Sequence, residues 1–281
     1  MIQQEHARSN LRIEALCEAL DVSASGYYAW CGRDISPHQQ ADARLGDVIE
    51  RVFVESRRTY GSHRVWLALG EQGIRTSRKR VERLMRERGL RSIRARKRRV
   101  GLTKAGQSAY FAPNLLQQDF SATRINEKWV TDTTYIPTRE GWLYLVSVMD
   151  LFSRQVVGWA MGEHHNADLA TSALDMAIGR ARPAAGLIVH SDRGSEFANK
   201  TFHKRATDAH IQLSMSSTGN CYDNAAAESF FATVKLEAIP EDIFASRQQA
   251  RRDLFDYIEV FYNRQRLHSG IGYARPVSRA A

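Results

Sequence analysis

Cysteine is scarce in this sequence, and Cys17, Cys31 and Cys221 stand far apart among 281 residues with no CxxC pair. An odd and widely spaced set does not build a disulfide framework, and none of the spacings is that of a cysteine-based zinc site. We therefore expect a protein of a reducing cytoplasm, without disulfide bonds and without cysteine-bound zinc.

Long apolar runs are also missing. No stretch of about 18 uncharged apolar residues occurs, and the first residues, MIQQEHARSN, lack the apolar region of a secretion signal. Internal repeats and low-complexity tracts are absent too. With 43% hydrophobic residues the chain can bury a core, and its length allows one large domain or two to three smaller ones. We expect a cytoplasmic protein with no membrane partner.

Positive charge is plentiful but is confined to one segment. The formal net charge is +9, and residues 75–99 hold 13 Lys or Arg against two acids, whereas the rest of the chain holds 27 basic and 29 acidic residues. A concentrated basic run is typical of a surface that binds a polyanion. The alternative is a solvated helix face, and the motifs around the segment favour nucleic acid.

The N-terminal third reads as short helices in two helix-turn-helix patterns. Residues 12–31 give two short helices around a DVS break, the second beginning near Ser23 or Ser25. Residues 43–56 predict a longer helix. Then YGSHRVWLALGEQG and SRKRVERLMRERG predict a helix, a glycine turn and a basic helix with Ser77 as its cap. Each pattern is weak alone, and the arginines of the last helix strengthen the second.

These patterns give the candidate DNA-binding residues. They lie on the basic helix and in the aperiodic basic stretch RARKRRVGLTKAGQS that follows it: Arg78, Lys79, Arg80, Arg83, Arg86, Arg94, Arg96, Lys97, Arg98 and Arg99.

From Asn126 onward the pattern changes to alternating strands and helices. KWVTDTTYIPT is a strand that we expect to stop at Pro137, and GWLYLVSVMD and QVVGWAM predict two more strands. ADLATSALDMAIGRA and NKTFHKRATDAHI predict helices on either side of a buried strand, GLIVHSD, and QLSMS predicts a brief fifth strand. Three strands in a meander followed by alternation indicate a mixed sheet covered by helices.

The order of elements resembles the ribonuclease H fold. We therefore predict an α/β core with a ribonuclease H-like mixed five-stranded sheet and flanking helices, preceded by all-α helix-turn-helix regions. The predicted divisions are a helix-turn-helix-like region at 1–35, a second one at 42–93, a basic linker at 94–123, the catalytic core at 124–239, and a C-terminal helix and tail at 240–281.

Three acidic residues occupy positions where an acidic side chain calls for an explanation. Asp132 lies inside a strand, Asp192 ends a strand ahead of a glycine turn, and Glu228 sits in NAAAESFFATVKLE at the border of an apolar helix face. On that helix, Asn224 and Lys235 fall within about 40° of Glu228, which makes one polar line. Each acid has a structural alternative, such as a bond to a turn or a helix cap.

Taken together, the acids predict a metal site. Three carboxylates in one place repel one another and raise their own pKa values unless a cation lies between them. Oxygen ligands suit Mg²⁺ or Mn²⁺, and a pair of such ions about 3.5–4 Å apart acts on the attacking and leaving oxygens of a phosphodiester. Asp132, Asp192 and Glu228 are the candidate catalytic and metal-binding residues. Lys235, on the same line as Glu228, is a candidate contact to a DNA phosphate, with an ordinary surface lysine as the alternative.

These blocks resemble a known family. WVTDTTYI, HSDRGSEF and NAAAESFFATVKLE are similar to the three blocks of the DDE transposase and retroviral integrase core, with 35 residues between Asp192 and Glu228. VMDLFSRQVVGWAM, NCYDNAAAES, SASGYYAWCGR, RRTYGSHRVWLAL and FYNRQRLHSGIGYARP resemble bacterial insertion-sequence transposases of the OrfB type. The resemblance covers nearly the whole chain.

The resemblance implies a DDE-type transposase that nicks the 3′ ends of an insertion sequence and joins them to target DNA. Asp132, Asp192 and Glu228 take the metal positions with two Mg²⁺ or Mn²⁺ ions, and Lys235 takes the family's basic position seven residues after the glutamate. The zinc module of the retroviral enzymes is absent, so zinc is not implied. The implied partners are the terminal inverted repeats of the element, target DNA and further copies of the chain on that DNA, in the bacterial nucleoid. A frameshift fusion with an upstream reading frame stays open.

Several residues near the predicted site have a structural role or a role that stays open. Asp150 ends a strand beside the predicted site, where a turn-stabilising role and a metal contact are both open. His190 is a packed strand residue rather than a base, and Asp223 or Asn224 caps the helix that carries Glu228.

Two competing functions are weighed against the transposase. A ribonuclease H-like or resolvase-like nuclease shares the fold but stops at hydrolysis, and the order and spacing of the acids argue against it. A non-catalytic regulator would use only residues 1–100 to bind DNA, and an intact triad within flanking blocks argues against that.

Overall fold

The protein is described here by a computed structural model that covers residues 2–9, 11–93, 111–217, 224–239 and 243–280. Three short helices come first: α1 (Ile2–Ser9), α2 (Ile13–Ala19) and α3 (Ala24–Cys31). The Ser23 side chain accepts a hydrogen bond from the Gly26 N–H and caps α3, so the second helix of the first pattern begins where the sequence predicts.

Three further helices form the second helical region: α4 (Pro37–Glu55), α5 (Ser62–Glu71) and α6 (Arg78–Glu87). The Ser77 side chain accepts from the Arg80 N–H and caps α6, as predicted. The start of α4 was predicted too late. Ser36 and Gln39 form a reciprocal capping box and Pro37 occupies the first turn, so the helix begins at Pro37 rather than at residue 43.

The core is a five-stranded mixed sheet in the order β3-β2-β1-β4-β5. The strands are β1 (Lys128–Thr138), β2 (Gly141–Asp150), β3 (Val156–Gly162), β4 (Ile188–Ser191) and β5 (Gln212–Met215). The first three strands form an antiparallel meander, and β4 and β5 add in parallel to β1. This is the predicted mixed sheet.

Strand β1 runs through Pro137, where we expected it to stop. Pro137 pairs with Trp142 of β2, whereas β4 pairs with β1 only from Lys128 to Val130. Beyond Val130, β1 therefore has a strand neighbour on one side only. The missing N–H of a proline costs no ladder hydrogen bond when it points to the unpaired side.

Helices cover both faces of the sheet. They are α7 (Ala167–Ala181), α8 (Lys200–Asp208) and α9 (Ala225–Glu237), followed by α10 (Arg247–Asp256), a π-helical turn (Tyr257–Tyr262) and the short α11 (Pro276–Ala280). Helix α7 lies against β3, where a Cβ on Gly158 would come within 2.3 Å of the Ala173 carbonyl oxygen. Only glycine allows this close approach of the two backbones.

The second helical region shares its hydrophobic core with the sheet. Buried residues of α4 to α6, such as Ile49 and Val65, belong to the same apolar cluster as Val130 of β1, Phe230 of α9 and Tyr257 of the π-helical turn. A second cluster fills the opposite face of the sheet under α7 and α8. In the part of the chain described, no helix is long and apolar enough to cross a lipid bilayer.

Candidate active site

Asp132 lies in the middle of β1, opposite Ser147 of β2. Val130 and Ile136, two and four residues away on the same face of the strand, pack in the apolar cluster that includes the buried side of α9. The Thr133 N–H donates to Asp132 Oδ1 at 2.7 Å, which holds the carboxylate in one orientation. The strand thus presents a carboxylate toward the helix that carries Glu228.

Asp192 follows β4 directly, next to β1 in the sheet. The Gly194 N–H donates to Asp192 Oδ1 at 2.9 Å, so a tight turn orients this carboxylate as well. Because β1 and β4 are parallel neighbours, Asp192 comes beside the strand that holds Asp132.

Glu228 lies in the first turn of α9, at the exposed border of the helix. Ala227, Phe230, Phe231 and Val234 form the buried face of α9, as the sequence pattern predicts. Burial of these side chains under the sheet fixes how the helix is rotated, and therefore where Glu228 points. The predicted side-chain cap is not formed by Asn224, which accepts no capping bond.

Two of the three carboxylates, those of Asp132 and Asp192, respond to the charges of neighbouring acids. Burial raises the pKa of Asp132 well above its ordinary value, and the nearby charges of Asp192, Glu196 and Glu228 raise it further. Burial also raises the pKa of Asp192, to which Glu196 and Glu228 contribute, while the Gly194 N–H and His165 oppose the rise. Partial burial raises the pKa of Glu228. The three predicted acids therefore share one electrostatic environment.

These carboxylates do not form a preassembled metal site. Among the residues that the structure describes, no group of three or more His, Cys, Asp or Glu side chains is arranged to hold a metal ion.

Glu196 is a fourth acid at the site, which the sequence analysis did not identify. It is buried, and its Oε1 accepts from Thr133 Oγ1 at 2.8 Å and from His165 Nε2 at 2.6 Å. Its Oε2 is buried with no hydrogen-bond partner in the described structure. A Cβ on Gly194 would lie 2.4 Å from that oxygen, so glycine makes room for the carboxylate. The signal in the sequence is an acid four residues after Asp192, within the same glycine turn.

Asp150 and His190 have structural partners. Asp150 Oδ1 accepts from the Asn126 N–H, and its Oδ2 accepts from both the N–H and the hydroxyl of Ser153. These bonds favour the turn-stabilising role over the metal contact. His190 is fully buried, with Nδ1 2.8 Å from Ser214 Oγ, as expected of a packed strand residue.

Known families match most of the chain. The integrase core domain matches residues 122–221, a second integrase core domain family matches residues 209–276, and an HTH-like domain matches residues 39–98. The transposase InsF for insertion sequence IS3A of Escherichia coli (strain K12) is 40% identical over 277 residues, which cover 97% of this chain and 95% of that protein. The chain belongs to the insertion-sequence transposases.

Two further proteins are similar to this transposase. The insertion element IS600 uncharacterized 31 kDa protein of Shigella sonnei is 42% identical over 263 residues, covering 94% of this chain and 96% of that one. The structure of the HTLV-2 integrase catalytic core domain in complex with magnesium, in its dimeric form, aligns with a TM-score of 0.42 and 18% identity, over 57% of this chain and 100% of that chain. The family resemblance and the fold class predicted from the sequence are confirmed.

The basic residues of the transposase fall into two groups on α6. Arg80 and Arg83 each form a 2.6 Å ion pair with Asp42 of α4, and Arg83 also pairs with Glu87. These bonds to α6 lower the pKa of Asp42. Arg80 and Arg83 therefore help to hold the helical region together, whatever else they contact.

The other basic residues of α6 face solvent. Arg78 and Lys79 are exposed and form no ion pair with any residue in the described ranges, and Arg86 lies 3.7 Å from Glu82 on an exposed face. The remaining candidates, Arg94, Arg96, Lys97, Arg98 and Arg99, lie outside the described residues, as do Cys221 and Asp223.

Lys235 of α9 lies over an aromatic ring. Its Nζ is 5.3 Å from the centre of the Tyr135 ring on β1. The side chain is therefore held at the surface between α9 and β1, two turns beyond Glu228.

Proposed function

We propose that this transposase cuts the 3′ ends of its insertion sequence and joins them to target DNA, with Asp132, Asp192 and Glu228 as its metal-binding and catalytic residues. The observation that supports this most strongly is that β1, the end of β4 and α9 bring the three carboxylates close enough for the charges of Asp192 and Glu228 to raise the pKa of Asp132, and for that of Glu228 to raise the pKa of Asp192. The integrase core domain match covers the first two, and the match to the insertion-sequence transposases covers all three.

The residues present fit a pair of Mg²⁺ or Mn²⁺ ions. The donors are carboxylate oxygens, which these ions prefer. Within the described residues, hydrogen bonds occupy only Oδ1 of Asp132 and of Asp192, and the buried Oε2 of Glu196 has no partner. Burial raises the pKa of each of the three acids, and a bound cation would offset that cost of charging them. When bound, such ions would stabilise the negative charge that develops on the phosphate and on the attacking and leaving oxygens.

The chain's own residues position the reacting groups. Backbone N–H groups of Thr133 and Gly194 hold the two aspartates in place, and the packed face of α9 sets the position of Glu228. Such pre-set geometry lowers the barrier to an in-line displacement, because orientation is fixed before the reaction.

Two displacements of the same kind complete the reaction. In the first, a water oxygen forms a bond to phosphorus, and the bond from phosphorus to the 3′ oxygen of the element breaks. In the second, the freed 3′-hydroxyl loses its proton and attacks a target phosphodiester, and the 3′ oxygen of the target strand leaves. No covalent bond between protein and DNA is required.

Lys235 and the exposed basic residues of α6 are proposed to bind the DNA backbone. A lysine acts there as a point charge that positions a phosphate, not as a metal ligand. The terminal inverted repeats and the target DNA are the proposed partners, and two element ends require at least two copies of the chain. A frameshift fusion that adds an upstream DNA-binding segment is compatible with this assembly. Because its substrate is the bacterial chromosome, we place the protein on the nucleoid.

A supercoiled-plasmid assay with labelled element ends tests the function against both alternatives. The proposal predicts joined products in the presence of Mg²⁺. Cut products without joining would indicate the nuclease, and retarded but intact DNA would indicate the regulator. Either of these two results overturns the proposal.

A further inference from the structure

Four ring-bearing side chains form a continuous strip on one face of the β1–β2 hairpin. Tyr135 and Trp142 are 57% and 50% exposed, and their ring centres lie 5.1 Å apart in an edge-to-face arrangement. Tyr144 pairs directly with Tyr135 across the two strands, and the His165 ring stacks on Tyr144 at 5.4 Å. We call Trp142, Tyr135, Tyr144 and His165 the aromatic strip.

The aromatic strip leads to the candidate active site. Tyr135 lies three residues beyond Asp132 on β1, about 10 Å along the strand. At the other end, His165 donates to the buried Glu196, which also accepts from Thr133, the residue next to Asp132. Three residues along a strand place Tyr135 and Asp132 on opposite faces of β1, so the strip meets the carboxylates around the edge of β1 that β4 leaves unpaired beyond Val130, where Glu196 bonds Thr133.

Two cations lie beside the aromatic strip. Lys235 places its ammonium group over the Tyr135 ring. On the other side, the backbone N–H of Arg247 donates to Glu140 and its guanidinium lies 3.1 Å from Glu163, so one cation faces two acids there. The same guanidinium donates to the Trp142 carbonyl oxygen, which ties Arg247 to the strip.

Packing does not account for the exposure of these rings. Half of the Trp142 and Tyr135 surface lies in water although both occupy regular strand positions, and adjoining exposed apolar groups of this size mark binding surfaces. Aromatic faces stack on nucleobases, and this stacking tolerates any base because each has a flat π surface. Beside a cation and beside carboxylates proposed to act on phosphodiesters, the matching occupant is an unpaired stretch of DNA.

We propose that the aromatic strip binds unpaired nucleobases of the DNA strand that is cut and joined, with Lys235 holding the adjoining phosphate. This inference rests on the proposed function and adds to it the state of the DNA at the site. The duplex end would open by a few base pairs, and the exposed bases would stack on Trp142 and Tyr135. The cost of unpairing is repaid by stacking, as in other enzymes that act on bases outside the helix.

The test measures whether bases, rather than phosphates, are bound. Full-length protein is titrated, in buffer with EDTA, into fluorescently labelled duplex ends that carry a few unpaired thymidines, and into the same ends with abasic residues at those positions. Wild-type protein is expected to bind the thymidine ends roughly fivefold or more tightly than the abasic ends, since stacking contributes about 1–3 kcal/mol per base. Trp142→Ala and Tyr135→Ala are expected to bring this ratio close to one.

Two controls separate the aromatic strip from general effects. Phe255 is 49% exposed and packs edge-to-face on Trp159 of β3, outside the strip, so Phe255→Ala should keep the wild-type ratio. Trp142→Phe should keep most of it because a flat ring remains. Thermal unfolding checks each variant, and Trp142→Leu replaces Trp142→Ala if the alanine variant does not fold.

The outcomes distinguish this inference from the proposed function. Equal wild-type affinity for thymidine and abasic ends overturns the inference. An affinity ratio that stays at the wild-type value in both Trp142→Leu and Tyr135→Ala also overturns it. So does a ratio that falls equally in Phe255→Ala. DNA joining by wild-type protein is scored separately in the plasmid assay. Joining without a base preference removes only the aromatic-strip proposal, whereas a base preference without joining supports the strip and removes the proposed strand transfer.

Discussion

Lys235 shows what a single residue of the site is expected to do. Its Nζ lies over the Tyr135 ring and two helical turns from Glu228, about 10 Å along the axis. At that distance the lysine would not touch ions held by the proposed metal site, but it would reach a phosphate of a bound strand.

Lys235→Ala should therefore weaken the binding of element ends and DNA joining by similar factors, about threefold to tenfold when one phosphate is no longer bound. Lys204→Ala is a matched control, because Lys204 pairs with Asp208 on α8. The measurement is DNA affinity and joining rate under the same salt and Mg²⁺. Normal binding with abolished joining would assign Lys235 to the chemical step and contradict this role.

At the residue scale, the sequence predicted the acids whose positions are unusual for their type. Asp132 inside a strand and Glu228 beside an apolar face are such positions, and both lie where the pattern predicted. Glu196 was not predicted as a site residue because acidic residues are common in turns that contain glycine. Its burial and its bonds to Thr133 and His165 depend on β1 and the loop before α7, which are distant along the chain.

Among the elements, the C-terminal segment fixes the end of the helix that carries Glu228. Arg266 donates two hydrogen bonds to the Glu237 carboxylate, at 2.6 and 2.8 Å, and the pair is 7% and 5% exposed. Tyr257 donates to the same carboxylate. On the other side, the Leu267 N–H donates to the Tyr60 hydroxyl of the second helical region. One short segment thus connects that region to α9.

Arg266→Ala should lower the free energy of unfolding by about 3–5 kcal/mol, because it leaves the Glu237 carboxylate buried without its partner. Urea unfolding measures this loss. The control is Arg275→Ala, since Arg275 and Glu71 form an exposed pair that should contribute less than about 1 kcal/mol. Equal and small effects of both variants would contradict the structural role of the buried pair.

The same segment predicts a pH dependence of stability. Burial, together with the positive charges of Arg266, Arg154 and Arg64, lowers the pKa of His268 to about 4. Its Nδ1 accepts from the Gly270 N–H, which requires the neutral ring. The folded state therefore resists protonation that the unfolded chain accepts near pH 6.5.

The contribution of His268 to stability is complete above about pH 6.5 and is lost as the pH falls toward 4. Between pH 7.5 and 5, the loss in wild-type protein should exceed the loss in His268→Gln by on the order of 1 kcal/mol, measured by urea unfolding at each pH. His164→Gln, in an exposed loop, should behave as wild type. Parallel pH profiles of wild type and His268→Gln would contradict the neutral buried imidazole.

At the scale of elements, periodicity predicted every strand of the sheet and the helices around it. Two predictions were wrong, and in both cases neighbouring residues outweighed a local sequence rule. Strand β1 continues through Pro137 because no strand pairs with that edge of β1 beyond Val130. Helix α4 starts earlier than predicted because Ser36 and Gln39 cap it. The Arg266–Glu237 pair was not predictable, because 29 residues separate the partners and only the packed fold brings them together.

For the whole molecule, helices α4 to α6 and the sheet share one core. The helical region is also joined to α10 by the 2.6 Å ion pair of Arg57 with Asp256, and to the C-terminal segment by the bonds of Tyr60. The sequence suggested a separate DNA-binding region because a basic, aperiodic stretch from residue 94 lies between its helices and the strands that begin after Asn126. Neither pattern contains information on which faces pack together, so the shared core could not be predicted.

A truncation of the N-terminal region would disturb this core, so exposed charges test DNA binding more cleanly. The double variant Arg78→Ala, Lys79→Ala removes two exposed cations from α6. It should weaken DNA binding and reduce the steepness of log K against log salt by about 0.9 for each phosphate that the variant no longer neutralises.

Arg205→Ala is the control for the α6 variant, since Arg205 pairs with Asp175 on the core. Both proteins are compared with wild type over a salt series by fluorescence anisotropy. An unchanged slope in the α6 variant would move the DNA-binding surface to another part of the molecule.

The proposed reaction requires that three carboxylates act together on DNA through divalent cations. Asp192→Asn keeps the size of the side chain and an oxygen to accept from the Gly194 N–H, but removes the charge. Asp208→Asn on the surface of α8 is the matched control. The decisive measurement is Mg²⁺-dependent joining of labelled element ends beside DNA affinity for wild type and both variants. Asp192→Asn is expected to bind ends as wild type does, with joining reduced by at least about a thousandfold, while Asp208→Asn joins normally. Joining by Asp192→Asn at a rate near wild type would contradict it.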